Sequence, residues 1–136
     1  MTSPRGVRIG LIALQVVGSV SAAAGAVGLL GGGIEYPTEW LTGSPFTSYT
    51  IPGLILGVVV GGSQLAGLIA VLRRHDGAPQ LSALVGAIMM GWIIAEVLIV
   101  GSIPGITRNL QVLYFLLGLA EVGLVALWIR AREYAR

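Results

Sequence analysis

The stretch from Gln80 to Ser102, QLSALVGAIMMGWIIAEVLIVGS, decides the fold class of this chain. A helix rises 1.5 Å per residue, so about 20 apolar residues cross the hydrocarbon core of a bilayer. Glu96 is the one charged residue in this stretch. Length and composition together predict a transmembrane helix that carries an acid inside the membrane.

Three further runs have the same character: Val7 to Leu30, Ile51 to Leu72 and Asn109 to Ile129. Over all 136 residues, 55% are hydrophobic and only 10% are charged, whereas soluble domains carry about 25% charged residues. The chain therefore lacks the polar surface that a soluble protein needs. We predict an all-α integral membrane protein with a single transmembrane domain over residues 1–136.

The connections between these runs predict the topology. Residues 73–79 and 103–108 are short links, which place consecutive helices side by side and antiparallel. The first connection, about 31–50, is much longer and aromatic. We therefore expect an up-down-up-down four-helix bundle with one long extracytoplasmic loop.

Arginine placement predicts the orientation, since cytoplasmic segments are enriched in basic residues. Glu35, Glu39 and Arg108 fall on one side of the membrane in this topology. Both termini should then be cytoplasmic, in the inner membrane of a bacterium. The arginines on the cytoplasmic side are Arg5, Arg8, Arg73, Arg74, Arg130, Arg132 and Arg136.

Several kinds of site are excluded by composition. The chain has no cysteine, which removes disulfides and thiol chemistry. His75 is the only histidine, and it lies in a charged loop, so a histidine-based metal or haem site is excluded. We expect no metal, no cofactor and no nucleic-acid partner.

Polar residues recur at helical spacing within the apolar runs. Ser82, Met89 and Glu96 recur every seven residues, which places them on one face of the third helix. The fourth helix has a similar stripe of Gln111, Tyr114, Gly118 and Glu121. We expect these faces to turn inward and to form a bundle interior with a few polar points.

Glycines at regular spacing mark packing surfaces on the first two helices. Gly53, Gly57 and Gly61 lie on the face of the second helix that also carries Gln64. The first helix repeats the pattern with Gly18, Gly25, Gly32, Ala22 and Gln15. These faces are also candidate surfaces for a homodimer.

An acid inside a membrane is costly and is a functional-site hypothesis by default. No arginine lies within a span, so we expect at least one of Glu96 and Glu121 to be protonated at neutral pH. Helical rise offsets the two acids by roughly 10 Å along the bundle. The same estimate pairs Glu96 with Tyr114 and Glu121 with Gln64.

These residues predict one small internal site, composed of Glu96, Glu121, Trp92, Tyr114 and Gln64. The function that it favours is binding or transport of a small lipophilic or cationic molecule.

The long loop offers two interpretations. Its aromatic residues could form an interfacial belt, or Glu39 and Trp40 could belong to a lid over the bundle.

Two other functions stay open at this point. A structural or accessory subunit of a larger membrane complex would also have low charge, short loops and small-residue faces. An enzyme could use the two glutamates as acid and base on a lipid or isoprenoid. The absence of histidine, cysteine and a metal cluster makes enzymatic activity the weaker expectation. The expected partners are the lipid bilayer, a small ligand, and a second copy or a larger complex.

Overall fold

The structure, a computed structural model, describes residues 4–31, 33, 36–101 and 105–136. Within these ranges it is helical and has no strand. Four helices are long and apolar enough to cross a membrane, which suggests a multi-pass membrane protein. They are α1 (Pro4–Leu30), α2 (Thr50–Leu72), α3 (Ala78–Val100) and α4 (Ile106–Tyr134).

The outer surface of the helices is apolar. Leu98 is 81% exposed and Val27 is 70% exposed, and many other leucine, valine and isoleucine side chains point outward in the same way. Such a surface is unfavourable in water and suits contact with lipid tails.

Helix ends differ from the predicted ones for local reasons. The fourth helix continues past Ile129 to Tyr134, and the Arg132 guanidinium lies 5.2 Å from the centre of the Trp128 ring. This cation–π contact stabilises the added turn. The predicted end of the third helix at Ser102 lies outside the described residues, as do Gly32 and Glu35.

A widened segment interrupts α2, which the sequence predicts as a regular helix. Residues Ile55–Gly61 are π-helical, a conformation found mostly as short bulges and often near functional sites. The Ser63 hydroxyl donates a hydrogen bond of 2.9 Å to the Val60 carbonyl and so satisfies one backbone acceptor there. Within this segment Leu56 packs against the buried residues of the bundle, and Gly57 lies against Ala26 of α1.

The glycines of α2 allow its backbone to approach α1 closely. A methyl group at Gly57 would lie 2.8 Å from Cβ of Ala26, and one at Gly61 would lie 3.4 Å from Cβ of Ala22. The predicted packing role is therefore correct. The two glycine faces cover each other within one chain, and a homodimer stays a prediction.

Two glutamines complete the α1–α2 contact in a reciprocal way. The side chain of Gln64 lies on Gly18, and the side chain of Gln15 lies on Gly67. Both helices thus carry a Gln-x-x-Gly sequence, QVVG at 15–18 and QLAG at 64–67. Each glycine provides the space that the partner glutamine occupies.

A pair of glycines joins α3 to α4. A methyl group at Gly86 would lie 2.6 Å from the Gly118 carbonyl oxygen, and the reverse distance is also 2.6 Å. Backbones this close gain van der Waals contact that larger residues would prevent.

The helices form a closed ring in which α1 and α3 each pack against α2 and α4. Three groups of buried residues follow one another along this bundle. A terminal cluster comes first and contains Val7, Leu11, Val71, Ala78, Val125 and Trp128. A polar layer of Gln15, Gln64, Ser82 and Glu121 comes next, and then a central cluster of Ala22, Val60, Met89 and Leu117.

Candidate functional site

A cavity lies beyond the central cluster, at the end of the bundle that carries the long loop. It consists of two adjoining pockets of about 120 and 160 Å³. Because both pockets are lined by Gly25, Tyr36, Leu56, Trp92 and Glu96, we treat them as one site, the loop-end cavity. Each of the two pockets is close in volume to an apolar cavity of about 150 Å³ that binds benzene in another protein.

Glu96 is the only acidic side chain among the described residues that line this cavity. It projects from α3 and is partly buried. Gln111 of α4 donates through Nε2 to Glu96 Oε1 at 3.5 Å and to the Gly101 carbonyl at 3.2 Å. The first contact is long for a hydrogen bond. The carboxyl group of Glu96 can therefore still interact with a ligand.

Aromatic rings form much of the remaining wall. Trp92 lies one helical turn before Glu96 on α3 and lines both pockets, while Tyr114 of α4 lines the larger one. From the loop, Tyr36, Trp40 and Tyr49 line the smaller pocket. The described lining contains no basic side chain.

The loop aromatics form a connected group. The Tyr36 ring centre lies 5.4 Å from that of Trp40 and 5.8 Å from that of Tyr49, which is within the range of favourable ring contacts. The Tyr49 hydroxyl donates to the Pro37 carbonyl at 2.9 Å. These contacts hold the loop across the cavity.

Burial and nearby charge affect the two phenols of the loop. Burial, and after it the nearby Glu96 carboxylate, raise the pKa of Tyr36 above the usual value of 10.0. Burial and the neighbouring Tyr36 raise the pKa of Tyr49. Both phenols therefore stay neutral, and able to donate hydrogen bonds, further into the alkaline range.

Only one of the two predicted lid residues lies at the cavity. The short 3₁₀ helix Thr38–Leu41 buries Leu41 and places Trp40 in the wall. Glu39 is exposed and does not line either pocket. In a 3₁₀ turn, neighbouring side chains point in different directions, which separates Glu39 from Trp40.

Glu121 and Gln64 lie in the polar layer and line neither pocket. The predicted pair forms: Gln64 Nε2 donates to Glu121 Oε2 at 3.3 Å, and both side chains are fully buried. The other predicted pair, Glu96 with Tyr114, is wrong as a hydrogen bond. Gln111 lies one turn nearer the loop end of α4 and bonds Glu96 instead, although Tyr114 shares the cavity wall.

The two acids therefore do not share one chamber. Glu121 packs beside Gly86 and Glu96 beside Gln111, so ten residues separate the two levels on both α3 and α4. At 1.5 Å per residue the offset is about 15 Å, larger than the predicted 10 Å. The central cluster fills the space between them.

Gln111, Tyr36 and Tyr49 line the cavity but are not among the predicted site residues. Gln111 was placed on the inward stripe of α4, and its position three residues before Tyr114 was the available signal. Tyr36 and Tyr49 were assigned to the loop, and nothing in their spacing indicates that the chain folds back over the helix ends.

Comparison of this chain with protein-family models, curated proteins and solved structures gives no match. Any functional inference therefore comes from the geometry itself. That geometry combines one carboxyl group with several aromatic rings in a cavity at the end of the bundle. A carboxylate and aromatic faces both attract cations.

Proposed function

We propose that this protein binds a small lipophilic cation in the loop-end cavity, with Glu96 as its counter-charge. The observation that carries the proposal is the position of Glu96 among Trp92, Tyr36 and Tyr114. An aromatic wall desolvates an organic ammonium group favourably, through the negative faces of its rings. The Glu96 carboxylate at the same place attracts a cation, whereas a neutral ligand would gain nothing from its charge.

Cavity size limits the ligand to one ring or its equivalent. Pockets of about 120 and 160 Å³ are comparable to a cavity that accommodates benzene. A phenyl ring with a quaternary ammonium group is of suitable size if it extends through both pockets. Larger multi-ring cations would need the loop to move.

The geometry supports binding more than transport. A path through the bundle from the cavity would have to cross the central cluster, the polar layer and the terminal cluster. Glu121, the second acid, lies beyond the first of these barriers and is fully buried. We therefore propose a binding role, with transport as an additional step that would require these layers to open.

The test is a titration with benzyltrimethylammonium, followed by tryptophan fluorescence of the protein in lipid nanodiscs. Neopentylbenzene is the matched control ligand, because it has the same shape with carbon in place of the charged nitrogen. We expect saturable binding of the cation and binding at least tenfold weaker of the neutral compound. Equal binding of both compounds would reject Glu96 as the counter-charge.

Matched variants identify the acid that acts. Glu96→Gln keeps the shape of the side chain and should weaken cation binding at least tenfold. Glu39→Gln removes an exposed loop acid outside the cavity, and Glu121→Gln removes the buried acid of the polar layer. Both should bind like the wild type. Loss of binding in either control, with Glu96→Gln unaffected, would contradict the proposed site.

We also propose an up-down-up-down arrangement with both termini cytoplasmic, in a bacterial inner membrane. In support, the terminal cluster joins residues near the starts of α1 and α3 to residues near the ends of α2 and α4. Seven arginines against one also favour that side as cytoplasmic.

The native chain has no cysteine, so single cysteines test this orientation without background. An impermeant maleimide added to intact spheroplasts should label Thr42→Cys and spare His75→Cys. The opposite labelling pattern would reverse the proposed orientation.

A further inference from the structure

The polar layer holds the bundle together along both of its diagonals. Helices α1 and α3 lie opposite each other, as do α2 and α4, since each helix packs mainly on its two ring neighbours. Gln15 Nε2 donates to Ser82 Oγ at 2.9 Å and so joins α1 to α3. The Gln64–Glu121 hydrogen bond of 3.3 Å joins α2 to α4. Two polar bridges thus connect opposite helices at the same level of the bundle.

Several oxygens in this layer have no partner. Gln15 Oε1, Gln64 Oε1 and Glu121 Oε1 are buried and make no hydrogen bond with any residue in the described ranges. The unpartnered atoms are all acceptors, whereas both carboxamide nitrogens donate. A buried acceptor without a donor is costly, so the layer lacks hydrogen-bond donors at these positions.

A proton on Glu121 would add a donor in this layer. An ionised carboxylate only accepts, but a carboxylic acid has one O–H to donate. A carboxylic acid and a carboxamide are complementary: each has a carbonyl oxygen and at least one donor. One proton therefore allows a second hydrogen bond in the Gln64–Glu121 bridge.

We propose that Glu121 is a buried proton-binding site whose proton completes the Gln64–Glu121 bridge between α2 and α4. This site is distinct from the loop-end cavity and does not depend on ligand binding there. When the proton leaves, the bridge retains one hydrogen bond and gains a buried charge, and the α2–α4 diagonal weakens.

The surroundings of Glu121 offer no counter-charge. Arg8, which is partly buried at this end of the bundle, donates to the Val71 carbonyl at 3.2 Å, and it lies seven residues, about 10 Å, before Gln15 on α1. The residues that form the layer or pack on it from the other three helices are uncharged: Gln15 and Gly18 of α1, Gln64 and Gly67 of α2, and Ser82 and Gly86 of α3.

Infrared spectroscopy of the protein in lipid vesicles at pH 7 tests the proposal. A protonated carboxyl group has a C=O stretch distinct from the bands of a carboxylate. We expect such a band in the wild type and its loss in Glu121→Gln, which preserves the shape of the side chain. Gln64→Leu should retain the band but shift it, because the hydrogen bond to the acid is removed.

Thermal stability as a function of pH provides the second measurement. If the folded state holds a proton that the unfolded chain releases, raising the pH disfavours folding. The wild type should lose melting temperature as the pH rises above about 4.3, the ordinary pKa of glutamate in an unfolded chain, until the folded protein also releases its proton. This loss should exceed any loss in Glu121→Gln, which has no proton to release at this position.

Three results would overturn the proposal. One is a folded Glu121→Gln variant whose spectrum retains every carboxylic-acid band of the wild type. Another is a band that does not move in Gln64→Leu, a result that stays informative even if Glu121→Gln fails to fold. The third is identical pH dependence of melting in the wild type and Glu121→Gln.

Discussion

Replacing Gly86 or Gly118 by alanine should lower the stability of the protein, because the two glycines bring α3 and α4 into close contact. An alanine methyl at either position would lie 2.6 Å from the carbonyl oxygen of the other, whereas ordinary contact begins at 3.4 Å. The backbones would have to separate by up to 0.8 Å, the difference between these distances. Overpacking of this kind costs about 1–3 kcal/mol, and alanine regains up to about 1 kcal/mol through its higher helix propensity.

Each glycine has a matched control on its own helix. Gly91 of α3 and Gly123 of α4 have open space where a methyl group would go. In SDS-driven unfolding from mixed micelles, followed by far-UV circular dichroism, Gly91→Ala and Gly123→Ala should be neutral or stabilising. Gly86→Ala and Gly118→Ala should each be about 1–3 kcal/mol less stable than their controls, because the propensity gain is common to all four variants. Equal stability of all four variants would refute close backbone packing of α3 on α4.

Three further predictions concern the polar layer, the loop and the cavity wall. Gln15→Leu removes the hydrogen bond to Ser82 and should lower the free energy of unfolding by about 0.6–1.7 kcal/mol. Gln80→Leu, at an exposed position, should leave the free energy of unfolding unchanged. An equal loss in both variants would contradict the bridge. The pKa of Tyr36 is raised above its unfolded value, so its stabilising contribution is present below pH 10 and is lost as pH rises further. Ultraviolet titration should show a phenol that ionises late and that disappears in Tyr36→Phe. An unchanged titration in this variant would contradict the burial of Tyr36. Trp92→Leu should reduce benzyltrimethylammonium binding with little loss of folding, measured by calorimetry, and unchanged affinity would remove this ring from the site.

Helical periodicity accounts for the features that could be predicted from the sequence. It assigned an inward face to Ser82, Met89 and Glu96 and to the stripe of α4, and these residues are buried or partly buried. In a membrane the outer face must be apolar, so a polar residue inside a span indicates the inward direction with little ambiguity.

Contacts between helices could not be predicted in the same way. Periodicity gives the face of a residue but not the depth at which its side chain ends, and glutamine can reach up or down by about one turn. Gln111 therefore replaces Tyr114 as the partner of Glu96. The reciprocal Gln-x-x-Gly sequences at 15–18 and 64–67 were a readable signal for the α1–α2 contact, but their pairing requires the relative register of two helices.

The loop was the least predictable element of the site. Tyr36 and Tyr49 are far apart in the chain, and their contact depends on how the segment between them turns. Aromatic residues near a membrane surface fit an interfacial belt equally well by composition. Only the fold brings them over Glu96 and creates a cavity with a charged and an aromatic wall.

Location of a bound cation would test the proposed function most directly. Crystals soaked with 4-bromobenzyltrimethylammonium should give an anomalous bromine peak inside the loop-end cavity, with the ammonium group directed toward Glu96. The peak should be absent from Glu96→Gln crystals soaked in the same way. A bromine peak confined to the outer surface of the bundle, or one of equal strength in both proteins, would contradict a cation site built on Glu96.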